Sequence, residues 1–234
     1  MLVLGCGTAR DPAHKSSTTM NDTIFAAARS AAVNKLRFLA LGDSYTIGES
    51  VAAAERWPMQ LAERLRAGGV SIADPQIIAR TGWTTDELNA AIDEANPQGP
   101  FDLVTLLIGV NNQYRGRAAE EYRGEFVGLL NRAIAFAGGK PSCVIVLSIP
   151  DWGVTPFAQG RDRARIAEEI DLFNRIAQEE AEAAGARFVD ITPESRKAAT
   201  DPALTAADNL HPAGAMYSAW TTLVLPVAMG VCVR

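Results

Sequence analysis

Four short motifs in this chain carry the residue types that nucleophilic catalysis needs. A serine hydroxyl attacks a carbonyl when a base takes its proton, a third group orients that base, and hydrogen-bond donors face the developing oxyanion. Ser44 can serve as nucleophile, His211 as base and Asp208 as orienting acid, while Gly82 and Asn111 can supply donors. In chain order the motifs are Gly42-Asp43-Ser44-Tyr45, Arg80-Thr81-Gly82, Gly109-Val110-Asn111-Asn112 and Asp208-Asn209-Leu210-His211.

The histidine content narrows the choice of base. The chain has two histidines, and His14 lies in a polar N-terminal stretch, so a histidine base would be His211. A lone histidine is often structural, but a carboxylate three residues earlier, Asp208, favours a catalytic pair. Asp190 is a competing carboxylate, which we interpret as a loop cap. We interpret Asp43 as a brace that binds backbone amides in the nucleophile turn.

Five apolar runs predict buried strands, and each of the first three motifs follows one of them. Helical periodicity separates the runs, and strand and helix alternate along the chain. This pattern predicts a single three-layer α/β/α domain with a doubly wound, parallel, five-stranded sheet in the flavodoxin-like order 2-1-3-4-5. The predicted strands cover residues 38–41, 77–79, 103–108, 144–149 and 187–191.

Such a sheet would bring the motifs together at one edge. Ligands of open α/β sheets bind outside the carboxyl ends of the strands, and the predicted order places Ser44 between Gly82 and Asn111. Thr84 and Glu87 form a capping box, so Gly82 would lie in the turn before a helix, where a backbone N–H is available. Pro212 suits a first helical position, which leaves His211 on the turn before the helix.

From about Leu36 to the C-terminus the chain resembles the SGNH hydrolases, also called GDSL esterases and lipases. The resemblance implies a Ser44 nucleophile, an Asp208–His211 pair from one D-x-x-H block, and an oxyanion hole. Its donors would be the backbone N–H groups of Ser44 and Gly82 and the side-chain amide of Asn111. No metal or organic cofactor is implied. The chain departs from the family at Tyr45, where Leu is usual, and at Asn112, where Asp is usual and which we assign to holding the loop.

The expected activity is hydrolysis of a carboxylic ester through an acyl-enzyme on Ser44. We favour a small-acyl esterase, because the chain is compact and shows no lid insertion. The resemblance also covers lysophospholipases, thioesterases and carbohydrate acetylesterases, and a catalytically inactive module that binds acylated glycans is the alternative to an enzyme. Trp152 follows the fourth strand, and it either lines a substrate pocket or covers the core. Tyr114 follows the third motif, and it either contacts substrate or belongs to an ordinary loop.

Composition limits the partners. With 234 residues, a formal charge of -5 and no basic block, the chain gives no electrostatic footprint for nucleic acid. Its three cysteines, Cys6, Cys143 and Cys232, are widely spaced, so they predict neither a disulfide framework nor a zinc site. A small-molecule ester is the expected partner, and the oligomeric state stays open.

The apolar C-terminal stretch is long enough to span a bilayer but predicts a buried helix instead. Residues 213–233 contain no charged residue. Pro226 would break a helix that starts at Pro212, while Met216, Trp220 and Leu223 recur at helical spacing. We therefore expect a final helix packed on the sheet and no integral membrane segment.

The first 35 residues differ in composition from residues 36–234, the predicted hydrolase domain. We expect residues 1–35 to be a leader that is poorly ordered or loosely docked. The apolar start is too short for a signal peptide, so the sequence as it stands predicts a cytoplasmic protein. Val3-Leu4-Gly5-Cys6 resembles the end of a bacterial lipoprotein signal, which leaves a lipoprotein or secreted protein as the alternative.

Overall fold

The computed structural model describes residues 1–3 and 35–231, with the backbone alone at Val231. Its five strands form one parallel sheet in the order β2-β1-β3-β4-β5, which confirms the predicted fold and strand order. The strands are β1 (Phe38–Gly42), β2 (Gln76–Ala79), β3 (Leu103–Leu107), β4 (Val144–Leu147) and β5 (Arg187–Val189).

Helices flank the sheet on both faces, as expected for a three-layer α/β/α architecture. Among the described residues they are α1 (Ser44–Ile47), α2 (Trp57–Ala67), α3 (Thr85–Ala95), α4 (Val110–Tyr114), α5 (Ala119–Phe136), α6 (Arg163–Ala183), α7 (Thr192–Ser195) and α8 (Gly214–Val231). The capping box predicted before α3 is present, with the Thr84 N–H donating to Glu87 at 2.9 Å.

The core lies on both sides of the three central strands. Every residue of β1, β3 and β4 is buried, whereas the edge strands β2 and β5 are partly exposed. β4 and β5 end two residues earlier than predicted because side chains take over the backbone hydrogen bonds. Asn174 bonds both the N–H and the carbonyl of Ile149, and the Ser148 hydroxyl accepts from Ile191 N.

Helix α8 corrects the prediction for the C-terminal stretch. The helix passes through Pro226 and continues to Val231, so the predicted break is wrong. Pro226 removes the hydrogen bond to the Thr222 carbonyl, but both residues are exposed and water can replace the donor. Met216 and Trp220 are buried as predicted, whereas Leu223 is 38% exposed. No helix among the described residues is long and apolar enough to cross a membrane.

The predictions for the cysteines and for the leader concern residues that lie partly outside the described ranges. The sequence suggested no disulfide framework, and Cys143 is disulfide-bonded. The predicted leader lies outside the described residues, apart from residues 1–3 and 35. A compact unit spans Lys35–Arg234.

Gly42 ends β1 at the point where the chain turns into the nucleophile motif, and this turn tolerates no side chain. In the sheet Gly42 is level with Ala79 of β2 and with Leu107 of β3. A Cβ at this position would lie 2.2 Å from Thr46 Oγ1 and 2.5 Å from the Leu107 carbonyl oxygen. The carbonyl belongs to a central strand and cannot move away cheaply. The glycine therefore permits the close approach of α1 to β3.

We expect Gly42→Ala to lower the free energy of unfolding by about 1–3 kcal/mol or more, because the added methyl overpacks rigid backbone. Urea denaturation measures the effect. Gly124→Ala is the matched control: Gly124 lies within α5 with no atom near its Cβ position. That change should raise stability by about 1 kcal/mol through helix propensity. Equal stability of wild type and Gly42→Ala would contradict the close-approach argument.

Candidate active site

The nucleophile motif forms the turn between β1 and α1. Asp43 caps the helix, and its Oδ1 accepts a hydrogen bond from Tyr45 N at 3.0 Å, as the sequence predicted. Ser44 is the first residue of α1, so its N–H has no carbonyl partner within the helix. The side chain of Ser44 is largely buried but lines a cavity that it shares with His211. This arrangement presents one hydroxyl and one backbone donor to the same space.

Asp208 holds His211 through both its carboxylate oxygens. Asp208 Oδ2 lies 2.6 Å from His211 Nδ1, and Oδ1 accepts from His211 N at 2.9 Å. The turn depends on Asn209, whose φ of 63° is in the left-handed region that asparagine tolerates. His211 lies just before α8, as predicted. Its imidazole therefore keeps one orientation, with Nε2 left for another partner.

Ser50 is a member of this network that the sequence did not reveal. Its hydroxyl donates to Asp208 Oδ2 at 2.6 Å across 158 positions of sequence. Burial raises the pKa of the Asp208 carboxyl, but hydrogen bonds from Ser50, the Leu210 N–H and His211 outweigh it. The net effect holds that pKa well below its usual range. Asp208 is therefore an anion at neutral pH, as an orienter of a histidine must be.

The competing carboxylate, Asp190, is bound to residues other than His211. Asp190 Oδ1 accepts from Ser148 Oγ at 2.9 Å and from Thr192 N at 3.0 Å. These bonds confirm that Asp190 is a loop cap. Among residues 1–3 and 35–231 no group of three or more His, Cys, Asp or Glu side chains is arranged to hold a metal ion.

Gly82 and Asn111 line the same cavity as Ser44. Gly82 has a φ of +89°, which a residue with a side chain rarely adopts, and it lies in the turn before α3. Asn111 is the second residue of α4, and its Nδ2 donates one N–H to the Trp83 carbonyl at 2.9 Å. Its amide is thus anchored through one hydrogen and retains a second.

Arg115 also anchors the Gly82 turn, which the sequence did not predict. Its guanidinium donates to the Gly82 carbonyl at 2.7 Å and forms two bonds to the carboxylate of Glu87, each 3.2 Å long. Glu87 in turn caps α3 through Thr84. The Gly82 carbonyl, in the peptide unit that follows the Gly82 N–H, is therefore held by a planar, charged donor.

The cavity that Ser44 and His211 line is about 180 Å³ in volume, and its lining is mainly apolar. Tyr114, Trp152 and Phe157 form one side of it, which we call the aromatic wall. Trp152 is buried and its Nε1 donates to Gln113 at 2.8 Å. The structure thus brings both predicted substrate-binding candidates, Trp152 and Tyr114, to the cavity that Ser44 lines, and adds Phe157.

The sequence between residues 40 and 219 matches the GDSL-like lipase/acylhydrolase family. The chain belongs to this family. As a GDSL-type protein it is a carboxylic ester hydrolase, and the resemblance seen in the four motifs is confirmed. No match was found among curated proteins.

Solved structures share the fold of this GDSL-type hydrolase. TesA matches with a TM-score of 0.62 and 20% identity, covering 82% of this chain and 97% of its own. The acetylxylan esterase Axe2 from Geobacillus stearothermophilus gives 0.63 and 20%, covering 85% and 96%. A G-D-S-L lipolytic protein from Veillonella parvula DSM 2008 gives 0.63 and 17%, covering 84% and 100%.

The two departures from the family motifs have local explanations. The ring of Tyr45 is buried, with its centroid 5.4 Å from that of His211, so it supports one side of the imidazole. Asn112 is fully buried and binds Thr85 twice, accepting from its N–H at 3.1 Å and donating to its hydroxyl at 2.6 Å. This agrees with a role in holding the loop. Glu125 lies 3.4 Å from the Asn112 amide nitrogen, so an aspartate here would face another carboxylate.

Asp43 titrates in an unusual range for a carboxyl group. Burial raises its pKa to about 7, although the Tyr45 N–H offsets part of that effect. Its Oδ2 has no hydrogen-bond partner among the described residues. Between about pH 4 and pH 7 an unfolded chain ionises Asp43 while the folded protein keeps the proton. The unfolded state then binds fewer protons, so stability falls as pH rises through this window.

We expect Asp43→Asn to remove the fall in stability that Asp43 causes as the pH rises, because the amide keeps an acceptor for Tyr45 N and does not ionise. Relative to the variant, the wild type should lose on the order of 2–4 kcal/mol of unfolding free energy between pH 4 and pH 7. Urea denaturation of both proteins across this range gives the difference between their free energies of unfolding at each pH. The contributions of the other titratable groups cancel in this difference. A difference that does not change with pH would contradict the raised pKa.

Proposed function

We propose that the protein hydrolyses small-acyl carboxylic esters through an acyl-enzyme on Ser44, with Asp208 and His211 as its acid–base pair. One observation carries the proposal: an imidazole held at 2.6 Å by an ionised carboxylate faces the cavity that Ser44 lines. Ser44 and His211 share no direct hydrogen bond within the described chain. In unliganded active sites this bond often tightens only when substrate binds.

In the proposed reaction His211 Nε2 takes the proton from Ser44 Oγ as the oxygen attacks the ester carbonyl. Asp208 holds the tautomer with the proton on Nδ1 and stabilises the imidazolium that forms. The imidazolium then protonates the departing alcohol. Water repeats the sequence on the acyl-enzyme and releases the acid.

The tetrahedral intermediate places negative charge on the former carbonyl oxygen. We assign its donors to the backbone N–H groups of Ser44 and Gly82 and to the second N–H of the Asn111 amide. Two of these donors lie in segments that are anchored before substrate arrives, since Arg115 bonds the Gly82 carbonyl next to the Gly82 N–H and the Trp83 carbonyl holds Asn111. Donors that need no reorganisation stabilise the transition state more than the ground state.

Cavity size supports a small acyl group. The volume of about 180 Å³ is below the roughly 300–1,000 Å³ typical of sites for drug-sized ligands. The structural likeness to an acetylxylan esterase favours a carbohydrate acetylesterase as the second candidate. A lysophospholipase or a long-chain thioesterase would have to bind an acyl chain that is too long for this cavity.

Residues 36–234 are the proposed hydrolase domain, in agreement with the compact unit that begins at Lys35. The sequence leaves two locations open, the cytoplasm and export as a lipoprotein or secreted protein. The disulfide bond at Cys143 supports export, because disulfides persist mainly in oxidising compartments.

Ser44→Ala should lower kcat for p-nitrophenyl acetate by a factor of about 10³ or more, because the nucleophile is lost. It should also abolish labelling by a fluorophosphonate probe while leaving the melting temperature unchanged. Ser142→Ala, at the opposite edge of the sheet before β4, is the matched control and should be labelled like wild type. Wild-type protein that folds but takes no label would favour the acyl-glycan binding module. Turnover by Ser44→Ala would exclude Ser44 as the nucleophile.

An ester series tests the substrate class. With p-nitrophenyl esters from acetyl to palmitoyl, kcat/KM should fall by about tenfold or more between butyryl and octanoyl, as expected when a ligand overfills its cavity. Acetylated xylo-oligosaccharides and acyl-thioesters are assayed alongside. Preference for the long acyl chains would move the assignment to a lysophospholipase or thioesterase, and preference for the acetylated sugars to a carbohydrate acetylesterase.

A further inference from the structure

The aromatic wall of the catalytic cavity is a packed set of rings that ends at the surface. The Tyr114 and Trp152 centroids are 5.3 Å apart, and Phe157 lies 6.0 Å from Trp152 and 6.3 Å from Tyr114. Trp152 is buried, whereas Tyr114 and Phe157 are 45% and 40% exposed. The wall therefore runs from the cavity that Ser44 lines out to the solvent.

Arg161 lies over this wall. Its guanidinium carbon is 5.2 Å from the Tyr114 centroid, 5.4 Å from that of Trp152 and 5.5 Å from that of Phe157. All three distances fall within the range of cation–π attraction. Its Nη2 also donates to the Tyr114 hydroxyl at 3.2 Å. The rings thus hold the guanidinium beside a surface cavity that Arg161 lines together with Tyr114 and Trp152, two rings that also line the cavity of Ser44.

Arg161 forms no ion pair with another described residue. In the described chain no carboxylate oxygen lies within 4.0 Å of its guanidinium. The nearby carboxylates are engaged elsewhere, since Asp162 caps α6 and Glu169 binds Arg165 and Gln113. Arg165 is therefore paired, and Arg161 is not.

We propose that Arg161 and the aromatic wall form a subsite for a carboxylate group on the alcohol part of the ester. A guanidinium binds a carboxylate through two parallel N–H bonds, and only one of its five N–H donors is used by Tyr114. A single unpaired cation suits one carboxylate better than a doubly charged phosphate. The acyl part fills the small cavity, so the charged group belongs to the alcohol part, which extends along the wall towards solvent.

This proposal rests on the proposed esterase function and predicts a selectivity that can be measured separately. The matched substrates are 4-acetoxybenzoate and 4-acetoxybenzamide, which share the acetyl group and the ring and differ in charge. In wild type, kcat/KM for the carboxylate should exceed that for the amide by about threefold to tenfold, mainly through KM, since the pair is partly exposed. The ratio should fall with added salt.

Arg161→Gln should bring this ratio close to one, and Arg165→Gln, the matched control, should keep the wild-type ratio. A ratio unchanged in Arg161→Gln, or lost equally in both variants, would overturn the proposal. So would a wild-type enzyme that cleaves both esters equally. If wild type cleaves neither ester and takes no fluorophosphonate label, the proposed function itself fails, and this outcome is distinct from the others.

Discussion

The position of β1 between β2 and β3 is the constraint on which the site depends. Because the three strands are parallel, their carboxyl ends lie level, and Gly42 is opposite Ala79 on one side and Leu107 on the other. Each chain segment then needs only a few residues to reach the same cavity, with Ser44 from β1, Gly82 from β2 and Asn111 from β3. Because Gly42 has no side chain, it can lie close to the Leu107 carbonyl, and this keeps the turns close together.

Side-chain hydrogen bonds then convert proximity into fixed geometry. Helix α4 and the residue after it bind the start of α3 and the turn before it at three points: Asn111 to the Trp83 carbonyl, Asn112 to Thr85, and Arg115 to the Gly82 carbonyl. The Asn112 contacts are fully buried, where an unmade hydrogen bond costs most. The two loops that carry the proposed oxyanion donors therefore behave as one unit, which an oxyanion hole requires if it is to act without reorganising.

Short-range patterns predicted the strands, the α3 capping box and the turn before α8, because each depends on residues close in sequence. The strand order followed instead from the alternation of strands and helices, which is typical of a doubly wound sheet. The roles of Ser50 and Arg115 could not be predicted, since a serine and an arginine on loops have no local signal and their partners are distant in sequence. The break predicted at Pro226 is wrong because the cost of a proline depends on exposure: on the solvent side of α8 water replaces the lost donor. The sequence predicted two residues of the aromatic wall, Trp152 and Tyr114. Phe157 and Arg161 come next to these two only in the folded structure, so the sequence did not indicate them.

The bond between Ser50 and Asp208 spans 158 positions, so the hydrogen-bond network of the site joins two segments that are far apart in the sequence. During synthesis the chain leaves the ribosome from its N-terminus, and domains fold as units. A nascent chain can complete the turn that carries Ser44 early, yet Asp208 and His211 emerge more than 160 residues later. Under the proposed mechanism, a nascent chain cannot turn over substrate until the segment with Asp208 and His211 has emerged and packed against the segment with Ser44 and Ser50.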